Sequence, residues 1–114
     1  MIYQIKISLK DFRPEIWRRI QIDSETSLYK LHHITQIAMN WSNYHLYQFV
    51  IKDSFSRHRI RYGNPNLLDD PDAIDARSVL ISTMLKDEKE VLNYEYDFGD
   101  SWEHGIVLEK RLPR

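Results

Sequence analysis

The stretch Leu92-Asn93-Tyr94-Glu95-Tyr96-Asp97-Phe98-Gly99-Asp100-Ser101-Trp102-Glu103-His104-Gly105-Ile106-Val107-Leu108 decides the fold. Leu92, Tyr94 and Tyr96 alternate onto one face of a strand, and Trp102, His104, Ile106 and Leu108 onto one face of a second. Between them, Asp97 to Ser101 supply the turn of a hairpin, with Gly99 as the residue free to take positive φ. A hairpin with one apolar face needs a partner layer, so the rest of the chain is read for what covers it.

At the other end, Tyr3, Ile5, Ile7 and Leu9 alternate with Gln4, Lys6 and Ser8, again a half-buried strand. Pro14 breaks the pattern, because it cannot donate a ladder bond and it restricts Arg13. A second strand carries Ile16, Ile20 and Ile22 on one face, which Arg18 interrupts. That arginine implies a bulge, a snorkelling stem, or a buried ion pair with a carboxylate. Thr26 or Ser27 can cap a helix starting near Leu28. Leu31, Ile34, Ala38 and Trp41 form its stripe over about four turns, and Asn40 suits a left-handed C-terminal position.

Further strands are expected over residues 45–51, headed by His45, and more weakly over 58–62, before the turn Gly63-Asn64-Pro65. Residues 66–76 are acidic and read as a mobile loop; residues 79–85 read as a short helix. The whole order predicts a single α+β domain over residues 1–114. Its sheet is mostly antiparallel, with one main helix on one face, and a β-grasp-like arrangement is one compatible topology.

Sixteen Lys and Arg against 17 Asp and Glu leave a formal charge of −1, so there is no bulk basic excess of the kind a dedicated nucleic-acid binder shows. The absence of cysteine removes disulfides and thiolate metal sites and fits a reducing cytoplasm. No apolar leader core or membrane-length run is present, which predicts a cytoplasmic protein with no membrane partner.

The polar residues on apolar faces carry the chemistry. His32, His45, Asp97, Asp100 and His104, with Arg18 as a cation beside them, are expected at one rim of the sheet. Imidazole and carboxylate together suit a divalent metal such as zinc, manganese or iron, which could activate water. The same residues also serve as a hydrogen-bonded core edge and as turn formers. Arg57, Arg59 and Arg61 would share a strand face and could meet nucleic-acid phosphates, with Phe55 and Tyr62 available for stacking; a solvated edge explains them equally. Trp17, Tyr44 and Tyr47 are candidates for a protein interface, with another protein or a second copy as partner. No nucleophile elbow and no glycine-rich phosphate loop occurs, and Asp97-Phe98-Gly99 lacks every other kinase element.

Three ordered segments carry a resemblance. They are Ile5 to Leu9 leading to Pro14-Glu15-Ile16-Trp17-Arg18-Arg19; Leu31-His32 with Ala38-Met39-Asn40-Trp41-Ser42 and His45-Leu46; and Tyr94 to His104. Together the chain resembles the plasmid ORF-three-like family, named for an open reading frame of the root-inducing plasmid. The resemblance implies an α+β fold, an association with plasmids and mobile elements, and no established activity. It does not carry over the resolvase label some members bear, because no serine here stands among positioned arginines. Asn40 stands where the family usually has glycine. Many members continue into a Cys-, Gly- and Pro-rich segment, so the resemblance implies a version lacking it after Leu112-Pro113-Arg114.

Three functions are therefore expected in order: a non-enzymatic binding or accessory module, a metal-dependent hydrolase or nuclease-like enzyme using the His/Asp rim, and a nucleic-acid-binding protein using the arginine stripe.

Overall fold

A computed structural model describes residues 1–52 and 59–114 of the chain. Its elements in chain order are β1 (Ile2–Leu9), β2 (Ile16–Asp23), α1 (Leu28–Ala38), β3 (Tyr47–Lys52), β4 (Arg59–Gly63), α2 (Pro65–Leu68), β5 (Ile74–Asp75), a 3-10 turn (Ala76–Ser78), α3 (Ile81–Met84), β6 (Val91–Tyr96) and β7 (Trp102–Leu112). The described strands form one seven-stranded sheet in the order β2-β1-β7-β6-β3-β4-β5. Every neighbouring pair is antiparallel except β4 and β5. The α+β class with a mostly antiparallel sheet is as expected. The β-grasp arrangement is not: β1 and the last strand β7 are neighbours but run antiparallel, whereas a β-grasp runs them parallel.

The β6–β7 hairpin forms as read, with Tyr94 opposite His104 and Leu92 opposite Ile106. Its turn differs in one respect. The left-handed residues are Asp97 (φ 62°) and Ser101 (φ 55°), and no glycine has positive φ among the described residues. Asp97 tolerates that conformation because its Oδ1 accepts the N–H groups of Gly99 and Asp100, an Asx turn.

One face of the sheet packs against α1, and its core holds Ile5, Ile7, Leu28, Leu31, Phe49, Ile81, Leu92, Ile106 and Leu108, all fully buried. Truncating one of these to alanine costs about 2–5 kcal/mol. Ser27 caps α1 by accepting from Lys30 N–H, a contribution of about 1 kcal/mol. The buried face of α1 is rotated from the expected stripe: Leu28, Leu31, His32, Thr35 and Gln36 point inward, Ile37 is exposed, and Trp41 lies beyond the helix end. Asn40 takes the left-handed conformation (φ 61°) as read.

The opposite sheet face is mostly polar, with Gln4, Lys6, Ser8, Asn93 and Glu95 beside Trp17 and three valines, as one-sided antiparallel sheets permit. β7 takes one extra residue against β1 between Gln4 and Ile5, since Gln4 pairs with Lys110 and Ile5 with Leu108. That bulge leaves Glu109 to accept from Gln4 and a two-pronged Arg19 fork at 2.7 and 3.0 Å. Among the described residues, Arg18 meets neither a bulge nor a carboxylate. The β1–β2 register is unbroken through Arg18 opposite Ile7, and the exposed guanidinium donates to its neighbour's carbonyl, Trp17 O. The sheet ends at β2, so the charge sits on a free edge.

The acidic segment is not a loop throughout. It holds α2 and β5, buries Leu68 and Ala76, and pairs Asp75 with Arg77 and Asp70 with Arg61. No described helix is long and apolar enough to cross a membrane.

Candidate functional site: a ring-lined cleft beside the helix

α1 lies against the sheet with His32 stacked on Tyr47 of β3, and its outer side faces the corner between β4 and α2. There a cleft of about 740 Å³ opens, within the range of small-molecule sites. One wall is α1 (Tyr29, His32, His33) and the other is the β4–α2 corner (Asn64, Asn66, Leu67). Tyr44, His45 and Leu46 border it from the chain entering β3, and Asp75 with Arg77 close one end.

The helix wall is fixed by a closed ring of hydrogen bonds. The backbone N–H of Asn43 donates to Gln36 Oε1 at 2.9 Å, and Gln36 Nε2 donates to Tyr94 Oη at 2.9 Å. Tyr94 Oη then meets His32 Nδ1 at 2.6 Å, and His32 Nε2 meets Asn43 Oδ1 at 2.8 Å. The directions follow from the end groups. A carbonyl oxygen on Asn43 requires the proton on Nε2, so Nδ1 accepts from the tyrosine hydroxyl. Burial pushes the His32 pKa down to about 4, which keeps the ring neutral and preserves this pattern. Burial likewise raises the Tyr94 phenol. His32 in turn stacks on Tyr47, centroids 3.5 Å apart and planes 8° from parallel. Burial raises Tyr47 to about 12, so its hydroxyl stays protonated.

His104 lies at the other end of Tyr94 and is fully buried. Its Nε2 accepts from the Trp41 indole at 3.1 Å, and Nδ1 donates to the Tyr94 carbonyl at 3.2 Å. Burial holds its pKa below the usual imidazole range. Both ring nitrogens are thus used inside the fold.

The expected rim therefore divides. His45, in the loop before β3 and not at the head of the strand, is exposed, with Nε2 3.6 Å from Asp97 Oδ2. Asp97 shapes the hairpin turn and Asp100 is exposed on it. His32 and His104 flank Tyr94 without facing a common point. Arg18 stands on the far edge of the sheet. Among the described residues, no three His, Asp or Glu side chains gather as a metal site. Arg59 and Arg61 do share the face opposite Tyr62, but Arg61 is engaged by Gln48 at 2.5 Å and by Asp70 at 3.6 Å. Arg57 and Phe55 lie outside the described residues. Trp17 carries Lys6 and Arg19 over its ring at 4.9 and 5.0 Å.

The sequence reading missed Gln36, Asn43 and the Tyr94 hydroxyl as one unit. The available signal was His32 and Gln36 four residues apart on one helix face, two long polar side chains that a buried face must satisfy together.

The fold and site thus define an α+β domain with an antiparallel sheet and a preformed, ring-lined cleft. The chain belongs to the plasmid pRiA4b ORF-3-like protein family, whose model matches residues 1–114. It is 34% identical over 113 residues to the uncharacterized protein y4hQ of Sinorhizobium fredii, covering 98% of this chain and 55% of that protein. It also matches the crystal structure of a protein of unknown function from Methanosarcina mazei Go1, with a TM-score of 0.83 and 30% identity, over 99% of this chain and 61% of the other. The chain therefore spans a little over half the length of these relatives.

Proposed function

We propose that the protein is a non-enzymatic binding module of the cytoplasm and that the cleft beside α1 is its ligand site. The observation that carries this reading is the closed ring joining His32, Gln36, Asn43 and Tyr94. It fixes one wall in advance, which lowers the ordering cost of binding, and it occupies both imidazole nitrogens of His32, the buried histidine of the cleft, which acid–base or metal chemistry there would need. Absence of cysteine supports the compartment.

The rim supports a binding role as well. Tyr44 is 85% exposed and Leu67 58%, beside the half-exposed Tyr29; rings and aliphatic groups at a cleft mouth are ready to be covered by a ligand. The test is an amide chemical-shift titration against a panel of nucleosides, amino acids and short peptides. Binding should map to residues 29–33, 43–47 and 64–67 and weaken in Tyr44→Ala. Perturbations confined to the opposite sheet face would place the site elsewhere and end this reading.

A further inference from the structure

We infer that the cleft takes an uncharged, planar heteroaromatic ring of the nucleobase type; this rests on the cleft being the ligand site, as proposed above. Three features of the lining select that chemistry.

The first is the run of rings along the helix wall. Tyr29 meets His33 edge-on with centroids 4.7 Å apart, His33 lies 5.0 Å from His32, and His32 is stacked on Tyr47. Tyr29 and His33 keep part of their surface open, so a flat ligand can lie against them. Such stacking accepts any base, because every base has a π face.

The second is the density of hydrogen-bonding groups opposite those rings. Asn64 and Asn66 stand on the facing wall. Asn64 uses its Oδ1 to accept from Asn66 N–H, which leaves its amide nitrogen as a donor. A hydrocarbon ring would leave these amides without partners on binding, at a cost. The edge of a base, with donors and acceptors in its own plane, satisfies them.

The third is charge. Arg77 is the guanidinium at the cleft, and both its Nε and Nη2 are committed to the Asp75 carboxylate, at 3.1 and 2.8 Å. The pair is neutral overall and its Nε/Nη2 side is taken by the carboxylate, so it draws a phosphate less than an unpaired guanidinium would. Recognition of the ring, and not of a phosphate, is what such a lining can supply.

The experiment is a titration of the whole chain with adenosine, guanosine, cytidine and uridine. Parallel arms use adenosine monophosphate, a short single-stranded oligonucleotide, and a tyrosine-containing dipeptide. At least one nucleoside should perturb residues 29–33 and 64–67. Its dissociation constant should change less than about twofold on adding the 5′-phosphate, and as little between about 50 and about 500 mM salt. Tyr29→Ala, an exposed position that leaves the core intact, should weaken binding about tenfold, the scale of one base–aromatic stack. Asn66→Ala should change the ranking of the four bases while the spectrum stays folded. Oligonucleotide binding through the same residues with a shallow salt dependence would support the assignment with the base presented by a strand, whereas a steep salt dependence would overturn it in favour of phosphate recognition. Binding of the dipeptide with no nucleoside binding would overturn the base assignment and leave the cleft as a ligand site. Silence in every arm would overturn both.

Discussion

The phenol of Tyr94 donates to Nδ1 of His32 across 2.6 Å, tying the middle of the sheet to the middle of the helix. The same residue's carbonyl accepts from His104 Nδ1. One β6 residue thus orients two buried histidines, one through its side chain and one through its backbone. The first histidine supports the cleft through Tyr47, and the second anchors Trp41. Both are held neutral by burial.

Tyr94→Phe keeps the ring and removes only the hydroxyl. His32 Nδ1 and Gln36 Nε2 would then be buried without partners, a loss of about 1–3 kcal/mol. Urea denaturation should show a lower midpoint with an unchanged slope. The cleft amides near Asn43 should shift in spectra even though residue 43 is distant in sequence. An unchanged midpoint would mean that the ring contributes no net stability.

The pH dependence has a definite sign. An unfolded imidazole binds its proton near 6.5, whereas folded His32 does so only near 4. Between those values the unfolded state holds more protons, so stability falls as pH falls. The depression of His104 adds in the same direction. His32 alone accounts for about 3 kcal/mol lost on crossing the window, at about 1.36 kcal/mol per unit. Denaturation midpoints taken from pH 7 down to 5 should decline steadily, above the range where Glu15, Glu109 and Asp75 titrate, since their carboxyls are lowered by Ser8, Arg19 and Arg77 respectively. A flat profile from pH 7 to 5 would contradict the neutral, buried assignment.

Much of this fold is legible in residue order, because strands with one buried face announce themselves by alternation. Tyr3 to Leu9 and Leu92 to Leu108 do so without ambiguity, and Ser27 marks its helix by its cap. The functional surface is less legible for a physical reason. On α1, buried His32, Thr35 and Gln36 carry no apolar signal, so counting hydrophobic residues rotated the helix toward Ile34 and Ala38. The histidines and aspartates were visible as residues out of place. Which of them meet depends on β7 lying between β1 and β6, a long-range pairing that local periodicity does not encode. The acidic segment misled through composition: Asp70 meets Arg61 only once β4 is in place, and Asp75 takes its local neighbour Arg77 while capping the 3-10 turn.

Thr35 offers a contrast to the satisfied ring beside it. Its hydroxyl is buried with no hydrogen-bond partner among the described residues. Thr35→Val keeps the β-branched shape and removes the unpaired polar atom. The expected result is a gain of up to about 1 kcal/mol, read by chemical denaturation. A loss of that size would reveal a partner for the hydroxyl.

Metal addition tests the division of the histidine and aspartate rim. A resident metal at about 100 times its dissociation constant would add ~2.7 kcal/mol and raise the unfolding midpoint by several degrees. With both His104 nitrogens engaged and His45 paired with Asp97 alone among the described residues, zinc, manganese, nickel and EDTA should each leave the midpoint in place. A metal-specific rise that disappears in His45→Ala would show that the exposed pair recruits a third ligand.

Arg18 sits where the hydrophobic face of β2 would otherwise run unbroken from Ile16 to Ile22, on the last strand of the sheet. Its guanidinium makes no ion pair among the described residues, and its hydrogen bond to Trp17 O is exposed, so it contributes little to the stability of one molecule. A charge on the inner face of an edge strand instead opposes pairing with another chain, because docking there would desolvate it. Arg18→Val should therefore leave the denaturation midpoint of dilute protein within about 0.5 kcal/mol of the parent. Sedimentation or light scattering should show self-association that rises with concentration and is absent in the parent. A variant that stays monomeric at high concentration and loses more than about 1 kcal/mol would show instead that the arginine is held by a stabilising contact, and that the edge is guarded by something other than its charge.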